Sequence, residues 1–112
     1  MGAKYRLGPE LEITGYTCED HFFEPDTVRH SWEMLATILK DKNLTEGILC
    51  DIGMPVSWNG VLYNCRVFCL NQEALLIRPK MYMAEMNNYR EGRWFRPWRQ
   101  TELIDFELPK VI

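Results

Sequence analysis

The sequence predicts an α/β fold, mainly a strand meander with one clear helix, and three observations carry that reading. Residues 47–79 hold three apolar, strand-like runs separated by two tight turn signals. Residues 26–42 carry apolar side chains at helical spacing. The chain has 112 residues, against a typical domain of ~150, so it is one small domain or a piece of a larger one.

Composition sets the outer limits. Hydrophobic residues at 46% and charged residues at 26% are ordinary globular values and exclude a disordered chain. Thirteen basic against sixteen acidic side chains give a net charge of −3, which argues against a nucleic-acid partner. No apolar run approaches the ~18 residues of a membrane span. Met1-Gly2-Ala3-Lys4-Tyr5-Arg6 lacks both a signal-peptide core and the Ser or Thr at position 6 of a myristoylation match. The expectation is a soluble cytoplasmic chain without a membrane partner. Cys18, Cys50, Cys65 and Cys69 are then expected to be reduced. Cys65 and Cys69 share one face of a strand about 13 Å apart, too far for one disulfide or one zinc ion. Both read as buried small hydrophobes.

Taken in order, Tyr5-Arg6-Leu7 alternates and stops at the turn signal Gly8-Pro9. Leu11-Glu12-Ile13 alternates again, as a strand would, before Gly15. Residues 16–25 follow neither period and read as a loop. Asp26 or Thr27 can cap the helix, along which Val28, Trp32, Leu35 and Leu39 make one apolar stripe. Asp26 at its start and Lys40 and Lys42 near its end suit the helix dipole. His30 falls on the opposite, solvent-facing side. The meander follows as strands at 47–56, 61–70 and 74–79. Asn59-Gly60 closes the first hairpin and Asn71-Gln72-Glu73 reverses the chain again. Beyond Pro79 the composition turns polar and Met-rich, with Gly92, Pro97 and Pro109 as breaks. Pro109-Lys110-Val111-Ile112 reads as the opening of a further strand. One helix covers little of such a sheet, so the chain looks cut short.

Few residues stand out chemically. Glu10 sits where a strand meets a turn, a usual place for a catalytic group on a rigid scaffold; by itself it reads first as a solvated turn carboxylate. Lys80 projects from the end of the last strand and by itself reads as a surface lysine. Between Arg78 and Arg99, arginines alternate with Tyr82, Tyr89, Trp94, Phe95 and Trp98. Such interleaving could stack nucleobases. The acidic charge favours an aromatic pocket wall with arginines paired to Glu85, Glu91 and the backbone. Gly8, Gly15 and Gly53 are isolated and make no phosphate cradle. Cys18 and His21 are the one Cys-His neighbourhood, with no orienting group in view.

These residues also form a recognisable series. Ala3-Lys4-Tyr5-Arg6-Leu7-Gly8-Pro9-Glu10-Leu11-Glu12-Ile13-Thr14-Gly15-Tyr16 resembles the first active-site segment of the glutamine-dependent NAD synthetase family, closest to its eukaryotic type. Cys18, Asp20-His21-Phe22, His30-Ser31-Trp32 and Asp51-Ile52-Gly53-Met54-Pro55-Val56 continue the match. So do Tyr63-Asn64-Cys65-Arg66, Ile77-Arg78-Pro79-Lys80, Asn88-Tyr89-Arg90-Glu91 and Arg93-Trp94-Phe95. The resemblance implies residues 1–112 as part of a nitrilase-like carbon-nitrogen hydrolase domain, the glutaminase, with the synthetase domain absent. It implies an incomplete αββα sandwich. It implies a Glu-Lys-Cys triad in which Glu10 is the general base and Lys80 stabilises the oxyanion. Glu91 would be a supporting carboxylate and Tyr16 a substrate-binding residue, with no metal site. No cofactor is implied for this chain; ATP and Mg belong to the parent's synthetase domain. The implied partners are glutamine, the remainder of the synthetase chain, and further copies of it in a homo-oligomer.

Glu85-Met86-Asn87 stands where the family often has Asn-Asp-Gly, and Glu19 where it commonly has a bulky apolar residue. None of the four cysteines occupies the family's nucleophile motif, which lies beyond Ile112. Two alternatives stay open: another nitrilase-like amidase, and a non-catalytic remnant that only binds partner subunits.

Overall fold

The computed structural model describes residues 2–15, 25–83, 85–86, 89–100 and 102–112. Tyr16, Cys18, Glu19 and His21 lie outside the described residues, as does Asn87. The chain orders as β1 (Tyr5–Leu7), α1 (Pro25–Lys40), α2 (Lys42–Thr45), β2 (Leu49–Trp58), β3 (Val61–Leu70) and β4 (Glu73–Pro79). Two short paired strands, β5 (Glu85–Met86) and β6 (Tyr89–Arg90), lead into a single 3-10 turn, Glu91–Arg93. The main sheet has four strands in the order β1-β2-β3-β4. β1 runs parallel to β2, and the other neighbours are antiparallel. This is the α/β meander with one main helix that the sequence predicts.

Both hairpins reverse on left-handed residues, which match the twist of the flanking strands. Asn59 and Gly60 have φ of 50° and 75°; Asn71 and Gln72 have 49° and 67°. Asn71 Oδ1 also accepts from the Gly47 N–H at 2.8 Å, tying the second reversal to the entrance of β2.

The core forms on one face of the sheet. Cys50, Ile52, Met54 and Val56 of β2 join Cys65, Val67 and Cys69 of β3, and Trp32, Leu35 and Leu39 of α1 close over them. Alternation along the strands selects those residues, and the three-and-four spacing along the helix selects theirs. Leu35 is wholly buried, so trimming it to alanine costs about 2–5 kcal/mol. Phe106 stacks on Trp32 with centroids 6.0 Å apart, bringing the C-terminal segment against the same layer. β2 is buried from Cys50 through Val56, so its opposite face is covered as well, and the site lies there.

Four local expectations differ from the structure. Residues 11–13 form a turn, not a strand, because Leu11 adopts φ 48° and its carbonyl accepts from the Gly15 N–H at 2.6 Å. The helix begins at Pro25, whose fixed φ suits a first helical position, so Asp26 and Thr27 lie inside the first turn. Lys42 belongs to the separate α2, which Asp41 caps by accepting from the Asn43 N–H. Residues 109–112 make a turn closed by the Ile112 N–H on the Pro109 carbonyl, not a strand. His30 is exposed, as its helical position predicts. Among the described residues, no helix is long and apolar enough to cross a membrane.

Candidate active site

Three separate segments converge on the face of the sheet away from α1. The first is the turn that carries Glu10. The Gly8 N–H donates to the Asp51 carbonyl at 2.9 Å, and the Ile13 N–H donates to the Gly53 carbonyl at 3.1 Å. Between these two ties residues 9–12 bulge outward. Leu11 is fully buried against Trp94 and Phe95, which offsets the ~1 kcal/mol or more that a left-handed non-glycine backbone costs. Gly53 makes room for the bulge: a Cβ there would stand 2.4 Å from the Pro9 carbonyl oxygen and 2.6 Å from the Leu11 nitrogen.

Arg66 on β3 clamps the same turn. Its Nε donates to Asp51 Oδ1 at 2.6 Å, and its Nη2 donates to the carbonyls of Asp51 and Gly8. The Tyr5 hydroxyl donates to Asp51 Oδ2 at 2.6 Å. That bond is the main reason the Tyr5 pKa lies above its ordinary value.

Lys80 leaves the end of β4 with its backbone held on both sides. Its N–H donates to the Asn64 carbonyl at 2.8 Å, and its carbonyl accepts from the Trp98 N–H at 3.0 Å. Trp98 in turn packs edge-on against Trp58 and Tyr63. Glu91 opens the 3-10 turn, where its carbonyl accepts from the N–H groups of Trp94 and Phe95. Those two rings are buried and anchor the turn. Trp94, Phe95 and Trp98 thus pack within the protein, whereas Tyr82 is 83% exposed. Arg96 donates to the Gly92 and Phe95 carbonyls, the expected arginine-to-backbone pairing.

The Lys80 ammonium stands 2.8 Å from Glu10 Oε1 and 2.8 Å from Glu91 Oε1. Asn64 Nδ2 completes the group, donating to Glu10 Oε1 at 3.1 Å and to Glu91 Oε2 at 2.6 Å. Burial by itself pulls the Lys80 pKa down, but the hydrogen bonds and charges of Glu10 and Glu91 together outweigh it. The ammonium is therefore held above the ordinary lysine value. An ammonium fixed this way can stabilise a developing oxyanion, and a carboxylate beside it can exchange a proton.

The described cysteines face elsewhere. Cys50, Cys65 and Cys69 are free and buried and belong to the core beneath α1, whereas Asn64, next to Cys65 on β3, points to the opposite face. Burial pushes the Cys65 thiol up to about 12 and the Cys69 thiol to about 11. Among the described residues, no group of three or more His, Cys, Asp or Glu could hold a metal ion. A groove of about 530 Å³ runs between β4 and a segment that includes residues 102–106, but Glu10, Lys80 and Glu91 do not line it.

Reading single residues misses Asn64, Arg66 and Gly53. The available signal is the pair Asn64 and Arg66, two apart on an otherwise apolar strand and therefore on one face.

The model of the carbon-nitrogen hydrolase family matches residues 1–111. The chain belongs to the carbon-nitrogen hydrolase family. Within that family it is 61% identical over 112 residues to a glutamine-dependent NAD(+) synthetase of Dictyostelium discoideum, covering 99% of this chain and 16% of the relative. The crystal structure of a glutamine-dependent NAD(+) synthetase from Cytophaga hutchinsonii superposes with a TM-score of 0.83 at 29% identity, over 92% of this chain and 17% of that one. A glutamine-dependent NAD+ synthetase from Acinetobacter baumannii, solved in complex with ADP, shares the fold with a TM-score of 0.78 at 20% identity. It matches over 93% of this chain and 19% of its own. This carbon-nitrogen hydrolase chain thus spans about a sixth of the length of the relatives it matches.

Proposed function

We propose that this segment forms part of the glutaminase portion of a glutamine-dependent NAD(+) synthetase. That portion hydrolyses glutamine and supplies ammonia for the ATP-dependent amidation of nicotinic acid adenine dinucleotide to NAD. The observation that carries the reading is the convergence of Glu10, Lys80 and Glu91, with the ammonium 2.8 Å from both carboxylates. The 61% identity along almost the whole chain to a relative of that name supports it.

In this reading Glu10 takes the proton of a cysteine thiol supplied from outside the 112 residues. The thiolate adds to the glutamine carboxamide carbon, and the Lys80 ammonium stabilises the resulting oxyanion. The C–N bond then breaks, Glu10 returns the proton to the departing nitrogen, and ammonia leaves a thioester. Water, deprotonated by Glu10, cleaves the thioester to glutamate and restores the thiol. Glu91 keeps the ammonium charged and fixed. Tyr16 is assigned to substrate binding, and ATP and Mg to the sequence outside this segment.

The test uses a chain of the relatives' length that carries this segment, fed either glutamine or ammonium. Glu10→Gln should abolish glutamine-driven NAD formation and leave ammonium-driven formation intact. Equal loss with both nitrogen sources would overturn the assignment to ammonia release.

A further inference from the structure

Asn64 lies at the centre of the convergence and has no part in the chemistry just given. It sits on the interior strand β3 and is 2% exposed, so both hydrogens of its amide need partners. Each finds a different carboxylate, Glu10 Oε1 at 3.1 Å and Glu91 Oε2 at 2.6 Å. Lys80 reaches the same two side chains from the other side, at Glu10 Oε1 and Glu91 Oε1, both at 2.8 Å. The four groups close a ring: ammonium, carboxylate, amide, carboxylate. Through its carbonyl, Asn64 also holds the Lys80 backbone N–H at 2.8 Å.

The ring treats its two carboxylates unequally. Glu91 is 1% exposed and bonded through both oxygens. Glu10 has a side chain 41% exposed, and both of its bonds fall on Oε1. Among the described residues, Glu10 Oε2 receives no hydrogen bond. We infer that Asn64 is a positioning residue that, with Lys80, locks Glu10 Oε1 and so presents Oε2 as the oxygen that exchanges the proton with the nucleophile. This rests on the glutaminase reading and specifies the geometry of its base.

The physical reason is charge as well as shape. Two carboxylates that share one ammonium repel each other, and the neutral amide between them donates to both without adding charge. An oxygen in place of that nitrogen puts a third carboxylate against the other two, and the group must take up a proton at a higher pH.

The experiment uses a chain of the relatives' length carrying Asn64→Asp, assayed across pH with glutamine and with ammonium. The expected result is an acid limb of glutamine-driven kcat moved up by roughly one pH unit, with KM for glutamine and ammonium-driven turnover unchanged. An unmoved limb with wild-type kcat would overturn the role of Asn64. If Asn64→Asp loses ammonium-driven turnover as well, Asn64→Ser carries the test, since it removes both amide bonds without adding charge. It should lower glutamine-driven kcat on the order of 100-fold through misplacement of the base; wild-type kcat would overturn the inference. Glu10→Gln run in parallel separates the two claims. Its retention of glutamine-driven activity sinks the glutaminase reading, whereas its loss beside a wild-type Asn64→Ser sinks only the role of Asn64.

Discussion

Lys80 Nζ lies 2.8 Å from Glu10 Oε1 although 70 positions separate the two residues in the chain. Neither is remarkable alone, one at a turn and one at a strand end. Their meeting follows from the sheet order: the parallel β1 delivers Glu10 along β2, and β3 and β4 bring Lys80 back beside Asn64. Glu91, buried and bonded to the same ammonium, makes the pair into a charged cluster with consequences for stability.

In a chain of the relatives' length, Lys80→Met should remove the ammonium that is bonded to the buried Glu91. Removing one partner of a buried pair costs about 3–5 kcal/mol, and partial exposure of Lys80 places the effect near the lower end. Adding Glu91→Gln to Lys80→Met should recover part of that loss. Denaturant unfolding of both variants checks this, and additive losses would contradict the coupling.

The Lys80 contribution should also depend on pH in one direction. Its folded pKa is raised above the ordinary value of 10.5, so the folded state binds the proton more tightly than the unfolded chain. The stabilisation is fully present below 10.5 and is lost as pH rises through the higher folded value. As pH rises from neutrality, the stability difference between wild type and Lys80→Met should therefore shrink only in strong alkali. A difference that shrinks as pH is raised from 6 to 8 would contradict this sign.

Cys65 and Cys69 should resist thiol reagents in the folded protein, because burial holds their thiols at about 12 and about 11 and a neutral thiol is a poor nucleophile. In a chain of the relatives' length, Cys65→Ala should leave glutamine-driven turnover within about twofold, since its side chain faces α1 and away from Lys80. A collapse of turnover in a stably folded Cys65→Ala protein would show that the nucleophile has been misplaced.

In a chain of the relatives' length, Gly53→Ala should damage the proposed glutaminase step without touching substrate. The added Cβ would stand 2.4 Å from the Pro9 carbonyl, so the turn bearing Glu10 must shift. Stability should fall by about 1–3 kcal/mol, the usual cost of forced overpacking. Glutamine-driven kcat should fall on the order of 100-fold, with ammonium-driven turnover preserved. Wild-type kinetics would mean that the turn tolerates displacement.

The 112 residues by themselves should associate and hydrolyse no glutamine. The outer strand β4 exposes Leu75 by 54% and Leu76 by 48%, and adjacent strand residues point to opposite faces, so β4 is under-covered on both sides. An uncovered sheet edge of this kind pairs with other chains. Light scattering and binding of a hydrophobic dye check the first claim. Ammonia release from glutamine by the isolated chain would refute the second and direct attention to Cys18.

The periodic parts of this chain are set by local sequence. Val28, Trp32, Leu35 and Leu39 repeat at helical spacing and α1 follows. The hairpin at Asn59 and Gly60 forms because those residues accept positive φ cheaply, and the apolar alternation of β2 and β3 selects which face is buried. The resemblance in motifs extends this legibility to Glu10, Lys80 and Glu91, which carry no periodic signal of their own.

What tertiary structure alone decides is aperiodic and long-range. Leu11-Glu12-Ile13 alternates like a strand, yet it turns because Leu11 is drawn into a pocket against Trp94 and Phe95, more than eighty positions away. Gly53 looks like a break in an apolar run, and only the Pro9–Leu11 backbone lying across it explains why no side chain fits there. Asn64 looks like a polar interruption of β3 until both carboxylates arrive to take its two hydrogens. Local preferences weigh fractions of a kcal/mol to about one per residue. A buried amide or carboxylate without a partner costs more than that, so the pairing of buried polar groups overrides local pattern where the site is built.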